Sequence, residues 1–313
     1  MSMRNDSQAI VHQKQLSFGH LIITLYPNGD YPAIGGMRRI EYANLEAAMM
    51  DCKNLALSML HKASAHDLPL SGGKAVIFCT NEVWSLHRVQ ILKEAALFIE
   101  SLKGKYITAI DMGTNMKDMD QISLITQHVC AHSMHDQTTY YTALGVYHAL
   151  KAACQWSKID LDSANILIEG LGQVSTALIE ILSSNHTSTI YGLDINPERF
   201  ESFIEKVVPY QPGQKVDIFC PNATGGTVSK KRILDIGCNL VCGAANNQLA
   251  QGETIPSLPC VTVQDYIANG GGLIYVFHQL QKSSEKTLQN HIQSIHNKTI
   301  EFLQTMYHAK NAN

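Results

Sequence analysis

Two lysines and an aspartate are the first candidates for chemistry in this chain. Residues 70–77 read LSGGKAVI, which sets Lys74 directly behind two glycines and ahead of a β-branched run. A phosphate-binding P-loop also ends in Gly-Lys, but it needs Ser or Thr after the lysine and a glycine five residues before Gly73. Ala75 and Leu68 occupy those places, so Lys74 calls for another explanation. Read singly, Lys62 is a solvated helix-face residue, Lys74 caps a strand edge, and Asp111, between YITAI and MGTN, closes a turn. The phosphate site lies a hundred residues further on. In ILIEGLGQVSTALIEIL an apolar strand runs into Gly170-x-Gly172-x-x-Ser175, with Gln173 and Val174 opening an amphipathic helix. Backbone N–H groups at such a helix N-terminus meet a pyrophosphate, and the small Ser175 still permits close helix packing. The next strand, STIYGLD, ends at Asp194 with Ile195 after it. An acidic residue there takes the ribose hydroxyls of NAD and repels a 2′-phosphate, so NAD rather than NADP is the expected cofactor. His128, His132 and His135 in HVCAHSMH would share one face of a helix and suit a metal. No carboxylate completes a ligand set beside them, and no metal is expected.

These groups must be carried by elements legible in the hydrophobic pattern. HLIITLYPNGDY alternates and then carries a turn signal, the mark of a hairpin. From Asn44 to His66 the apolar positions Ala47, Met50, Leu55, Met59 and Leu60 recur at helical steps. KAVIF follows as a strand, SLHRVQILKEAALFIESL as a helix, YITAID as a strand and DMDQISLITQHV as a helix. Beyond a hinge near HSMHDQTTY, TALGVYHALKAACQWS is helical, and NILIEG, STIYGLD, VDIFCP and CNLVCG are strands. LIYVFHQL leads into a last helical tail. Alternating strands and helices predict two α/β domains, the second of the doubly wound Rossmann type. The expected division is 1–137, 138–285, and a helix at 286–313 returning towards the first domain.

Composition narrows the function classes. A chain of 313 residues suits two domains, and 45% hydrophobic content supplies their cores. A formal net charge of -3 with both signs scattered gives no basic footprint for nucleic acid. Eight cysteines, dispersed and without a CxxC pair, read as reduced thiols. No apolar run has signal-peptide or membrane-span character, and a cytoplasmic location with no membrane partner is expected.

The combination of lysines, aspartate and cofactor turn resembles one enzyme family, the amino-acid dehydrogenases of the glutamate, leucine, phenylalanine and valine group, and leucine dehydrogenase most of all. AIGGMR, MLHKASAHDLPLSGGKAVI, YITAIDMGTNMKDMD, YTALGVYHALKAA, IEGLGQVS, LDIN, DIFCPNATGG, GAANNQL and QDYIANGGGLIYV carry the resemblance in the family's order. It implies that Lys62 holds the substrate α-carboxylate, helped by the backbone of Gly35 and Gly36. Lys74 becomes the catalytic lysine, Asp111 the group that moves protons to and from the amino nitrogen, and Asn269 part of the substrate site. Thr142 would contact the nicotinamide amide, with Ala245, Asn246 and Asn247 beside the nicotinamide ribose. The implied side-chain pocket has Ile34, Ala109, Leu273 and Val276 as walls. An aliphatic wall suits leucine, isoleucine or valine, and an aromatic substrate stays open. A lysine near neutral pKa, set there by a second ammonium and partial burial, activates the water that attacks the imine. The glycines before Lys74 then let backbone approach a small substrate.

The chain departs from leucine dehydrogenases at Ile110, where they usually show an acidic residue. Its last helical tail stands where family members commonly add further helices. The expectation is an NAD-dependent L-amino acid dehydrogenase with catalysis in a cleft between its domains, assembled as a homo-oligomer, a dimer or larger. The alternative is a weakened homologue that senses NAD or an amino acid.

Overall fold

A computed structural model describes residues 9–130, 137–203 and 205–308. The chain divides into two compact units, Met1–Asp136 and Gln137–Asn313.

The first unit is built on five strands, β1 (Ile10–Leu16), β2 (Gly19–Tyr26), β3 (Ala33–Arg38), β4 (Ser71–Phe78) and β5 (Tyr106–Ile110), in the sheet order β1-β2-β4-β3-β5. β3 runs parallel to both β4 and β5, and β2 runs antiparallel to both β1 and β4. The hairpin therefore lies upstream of the expected place. It turns between Leu16 and Gly19, whereas the Pro-Asn-Gly-Asp turn leads into β3, which does not pair with β2 because β1 and β4 already occupy both its edges.

Helices cover both faces of this sheet. α2 (Asn81–Ser101) and α3 (Met116–Ser123) pack one face, where Trp84, Ile91, Leu92, Ala95, Ala96, Ile99, Met119 and Ile122 meet Leu21, Ile23, Leu25, Met37, Ala75 and Ile77. α1 (Leu45–Ala65) covers the other, setting Ala48 and Cys52 on Ile22 and Val76. Asn44 caps α1 by accepting from the Ala47 N–H, and the expected helix is present. Its buried stripe is Ala48, Cys52, Leu55, Ala56, Leu60 and Ala63, while Met50 is exposed. The stripe is displaced from the large residues because the helix lies close against β4. A Cβ on Gly72 would run into the Ala56 carbonyl and lie 2.7 Å from the Leu60 Cβ. Gly72 thus serves helix–sheet packing, and Gly73 lies against Ala33 and the Tyr106 ring.

The helix expected over DMDQISLITQHV stops at Ser123, and Val129 bridges to Thr108 beside β5. Backbone bonds from Thr108 N–H to the His128 carbonyl and from Cys130 N–H to the Thr108 carbonyl hold it there. His128 accordingly lies on extended chain, and His132 and His135 lie outside the described residues. Among the described residues no group of three or more His, Cys, Asp or Glu side chains is placed to hold a metal.

The second unit carries six parallel strands, β6 (Asn165–Glu169), β7 (Thr189–Leu193), β8 (Val208–Pro209), β9 (Ile218–Pro221), β10 (Leu240–Val241) and β11 (Val261–Thr262), in the order β11-β10-β9-β6-β7-β8. Strand order reverses between β6 and β9, the topological switch point where a doubly wound sheet binds its ligand. α5 (Gln173–Asn185) leaves β6 through the glycine turn and packs on α4 (Thr138–Ser157). α8 (Gly271–Leu280) and α9 (Glu285–His308) also pack on α4. The described residues of the segment expected at 286–313 lie in α9, and the second unit, Gln137–Asn313, includes them.

Candidate active site

In the first unit the sheet brings Lys74 and Asp111 together. β4 is buried along its length, and strand parity puts Gly72, Lys74 and Val76 on the side that α1 covers. Asp111 follows β5 and turns back because its N–H donates to the Thr114 hydroxyl, which in turn donates to the Met37 carbonyl. The Lys74 ammonium stands 2.7 Å from Asp111 Oδ2. Gly36 creates the room, since a Cβ there would lie 2.7 Å from the Asp111 Cβ. The β3–β4 pairing also skips this place, running from Ile34 opposite Gly72 to Met37 opposite Ala75. Gly35 and Gly36 stay paired with Thr108 and Ala109 of β5.

Lys74 is shielded from water, and Asp111 is half-buried beside it. Lys74 is only 6% exposed, and burial lowers its ammonium below the usual lysine range, Asp111 opposes that shift, and Arg38 adds to it. Burial would raise the Asp111 carboxyl, but Lys74 and Arg38 outweigh it and hold the group below the usual aspartate range. The cation beside Lys74 in this arrangement is Arg38, which donates from Nε to Asp111 Oδ2 at 2.8 Å. Sequence reading assigned that part to Lys62, which is half-buried near the end of α1. Arg38 was legible in principle, because it shares a strand face with Gly36 two residues earlier. Asp51, which accepts from a second Arg38 nitrogen at 3.1 Å, and Tyr42, which donates to Asp51, gave no such signal. Of the expected pocket walls, Ile34 on β3 is buried and Ala109 on β5 half-buried.

In the second unit the glycine turn has the shape a dinucleotide needs. Gly170 sits at φ +87°, where a Cβ would meet Ala223 at 2.8 Å. Gly172 is the N-cap of α5 and makes no side-chain cap bond, so it leaves the first-turn amides of Gln173 and Val174 without a side-chain cap of its own. Ser175, buried in place of a third glycine, donates to the Gly170 carbonyl and accepts from Asn222 Nδ2 at 3.0 Å. Asp194 caps the turn from the end of β7, taking the Leu171 N–H at 2.7 Å and the Asn196 N–H at 2.8 Å. Burial works against its ionisation, but these bonds and Arg199 keep its pKa low. Ile195 beside it is fully exposed.

Opposite the turn, Asn222 Oδ1 accepts from the Ala244 N–H, Ala245 is buried, and Asn247 is held at φ +51° by donating to Asp265. Asn269 donates to the Ala244 carbonyl and to Asn246 Oδ1, while its own Oδ1 is buried with no partner among the described residues. An orphaned acceptor of this kind wants an N–H donor. The Thr142 hydroxyl donates to the Thr138 carbonyl on α4, and a Cβ on Gly272 would fall 2.5 Å from it. Leu273 and Val276 are buried on α8.

Comparison with known proteins places the chain in a family. Residues 11–128 match the family described as Glu/Leu/Phe/Val dehydrogenase, dimerisation domain. Leucine dehydrogenase of Bacillus subtilis is 32% identical over 288 residues, covering 87% of this chain and 78% of that protein. The chain belongs to the Glu/Leu/Phe/Val dehydrogenase family. Valine dehydrogenase of Streptomyces albus is 31% identical over 87% of this chain and 79% of its own length. L-tryptophan dehydrogenase from Nostoc punctiforme has a crystal structure that superposes with a TM-score of 0.76 at 28% identity, covering 95% of this chain and 89% of that one. This amino acid dehydrogenase is therefore an oxidoreductase with the family's two-domain fold. Its relatives act on aliphatic and aromatic substrates at similar identity, so family membership leaves the side-chain preference open.

Proposed function

We propose that the chain catalyses NAD-dependent oxidative deamination of a branched-chain L-amino acid (leucine, isoleucine or valine), reversibly, to the 2-oxo acid and ammonia. The Lys74–Asp111 pair, with its lysine buried, carries this reading. In it Lys62 and the backbone of Gly35 and Gly36, where the β3–β4 pairing is interrupted, hold the substrate carboxylate. The orphaned Oδ1 of Asn269 accepts from the substrate amino group. NAD, when bound, supplies the hydride acceptor. Water then adds to the substrate imine carbon while Lys74, its pKa lowered by burial, takes the proton that the water releases. Asp111 carries protons to and from the nitrogen that departs as ammonia. Ile34, Ala109, Leu273 and Val276 would form an aliphatic wall without a cation for an acidic side chain.

The cofactor is proposed to be NAD. Its pyrophosphate would meet the amides after Gly170 and Gly172, at Gln173 and Val174. Asp194 would face the adenosine ribose and Ile195 the adenine. Thr142, Ala245 and Asn247 would serve the nicotinamide end. Assembly as a homo-oligomer through the first unit is proposed with it.

A scan of L-amino acids with NAD and with NADP, following reduced cofactor by absorbance, tests this reading. Turnover of leucine, isoleucine or valine is expected, and Lys74→Ala should lower kcat by about two to four orders of magnitude. A preference for tryptophan or phenylalanine would replace the branched-chain assignment with the aromatic one, which the Nostoc punctiforme relative favours. Binding of NAD without turnover of any amino acid would replace it with a sensor.

A further inference from the structure

Behind the Lys74–Asp111 pair lies a line of charged and polar side chains drawn from separate parts of the first unit. Asp111 Oδ2 receives both the Lys74 ammonium, at 2.7 Å, and Arg38 Nε, at 2.8 Å. The same guanidinium reaches back through a second nitrogen to Asp51 Oδ2 on α1, at 3.1 Å. That oxygen also accepts the Tyr42 hydroxyl, at 2.6 Å. One carboxylate oxygen is thus fixed by two cations from neighbouring strands, and one of those cations is fixed in turn from the helix covering the sheet. Ile110 strengthens the dependence on Arg38. Its side chain packs into the opposite core beneath α2, so the residue before Asp111 adds no charge to the cluster.

We propose that Arg38, anchored by Asp51 and Tyr42, is a positioning residue that pins Asp111 Oδ2 against Lys74 and sets the proton state that this pair presents to the substrate. The proposal rests on the dehydrogenase reading above and extends it to a residue that need not touch substrate. Arg38 supplies the second cation that lets a mostly buried Asp111 stay ionised, and its charge also presses the Lys74 ammonium towards the neutral form. The titratable and charged groups facing the pair are Arg38 from β3, Cys52 and Asp51 from α1, Tyr42 ahead of α1, and Tyr106 from β5. Burial first, then the hydrogen bond to Asp51, pushes the Tyr42 phenol up, and burial pushes up Cys52 and Tyr106. All three stay neutral near neutral pH, and Arg38 and Asp51 are the charges that act.

Removing the guanidinium therefore moves Asp111 and Lys74 in the same direction, towards holding their protons. In Arg38→Gln the acid limb of the pH profile of kcat/KM for oxidative deamination should rise by about one unit. At a fixed pH kcat should fall about a hundredfold, with KM for the amino acid changed much less. Arg38→Lys keeps the charge without the two-sided fork, so the limb should return while kcat recovers only in part. Tyr42→Phe should lower kcat mildly with the limb in place. A carbon-NMR titration of the Asp111 carboxyl, assigned through Asp111→Asn, reads the same quantity without turnover. It should show the carboxyl protonating at higher pH in Arg38→Gln than in the parent. An acid limb and a carboxyl titration both unmoved in Arg38→Gln would overturn the proposal. Turnover absent from the parent with every amino acid would sink the dehydrogenase reading instead, and the carboxyl titration would still decide the part played by Arg38.

Discussion

Asp111 illustrates how neighbours set the behaviour of a single residue. Buried alone, its carboxyl would be driven towards the protonated form, yet Lys74 at 2.7 Å and Arg38 at 2.8 Å hold it ionised. A carboxyl depressed in the folded state contributes stability at pH above the ordinary aspartate range, and that contribution is lost as pH falls through the lower folded value. Substitution Asp111→Asn should therefore remove part of the acid sensitivity of the first unit, measured as denaturant midpoint against pH below about 4. An unchanged acid slope would show that the carboxyl is not held low. At the cofactor turn, Asp194 is expected to discriminate between the two nicotinamide dinucleotides. Asp194→Ser would remove the charge proposed to repel a 2′-phosphate, so the ratio of NADP to NAD affinity should rise by roughly tenfold or more. Calorimetric titration with both cofactors checks this, and an unchanged ratio would place the discrimination elsewhere.

At the scale of elements, two contacts are decisive. α1 approaches β4 so closely that Gly72 meets helix atoms where a Cβ would be. Gly72→Ala should cost about 1–3 kcal/mol of stability, read from the denaturant midpoint, and should also disturb Lys74 two residues along the same strand face. A midpoint equal to the parent's would mean that the helix yields freely. In the second unit, α4 and α9 bring His148 near His296 and beside Lys151, and burial first, then these charges, lowers His148 to about 4. An unfolded histidine titrates near 6.5, so the unfolded chain binds the proton more readily across that window. Stability of this unit should therefore fall as pH drops from about 6.5 to about 4, with no contribution from His148 above it. His148→Gln should flatten that part of the profile, and coincident profiles would refute the assignment.

At the scale of the whole molecule, the two units divide the labour that the family's chemistry requires. The first holds Lys74 and Asp111, proposed above to move protons, and the second holds the glycine turn at the switch point of a parallel sheet. No described helix is long and apolar enough to cross a membrane. Residues 11–128 match a region described as a dimerisation domain, and light scattering should return a mass that is a multiple of the 34.6 kDa chain. A monomeric mass across the concentrations used for assay would count against assembly.

The sequence by itself determined much of this. Alternation of strands and helices, the Gly170–Gly172 turn ahead of α5, and the order of Lys62, Lys74, Asp111 and Asn269 along the chain were all legible, because local periodicity and short motifs survive without knowledge of contacts. The misplaced hairpin and the shifted stripe of α1 came from pairing and close approach, which depend on residues far away in the chain. Gly72 and Gly73 read as an approach for a small substrate, and the structure shows them as strand residues that also admit a helix and a tyrosine ring. Only the tertiary structure put Arg38, Asp51 and Tyr42 behind Asp111. Their influence acts through a few ångströms of space between β3, α1 and the end of β5, and a buried charge is governed by that distance rather than by separation along the chain.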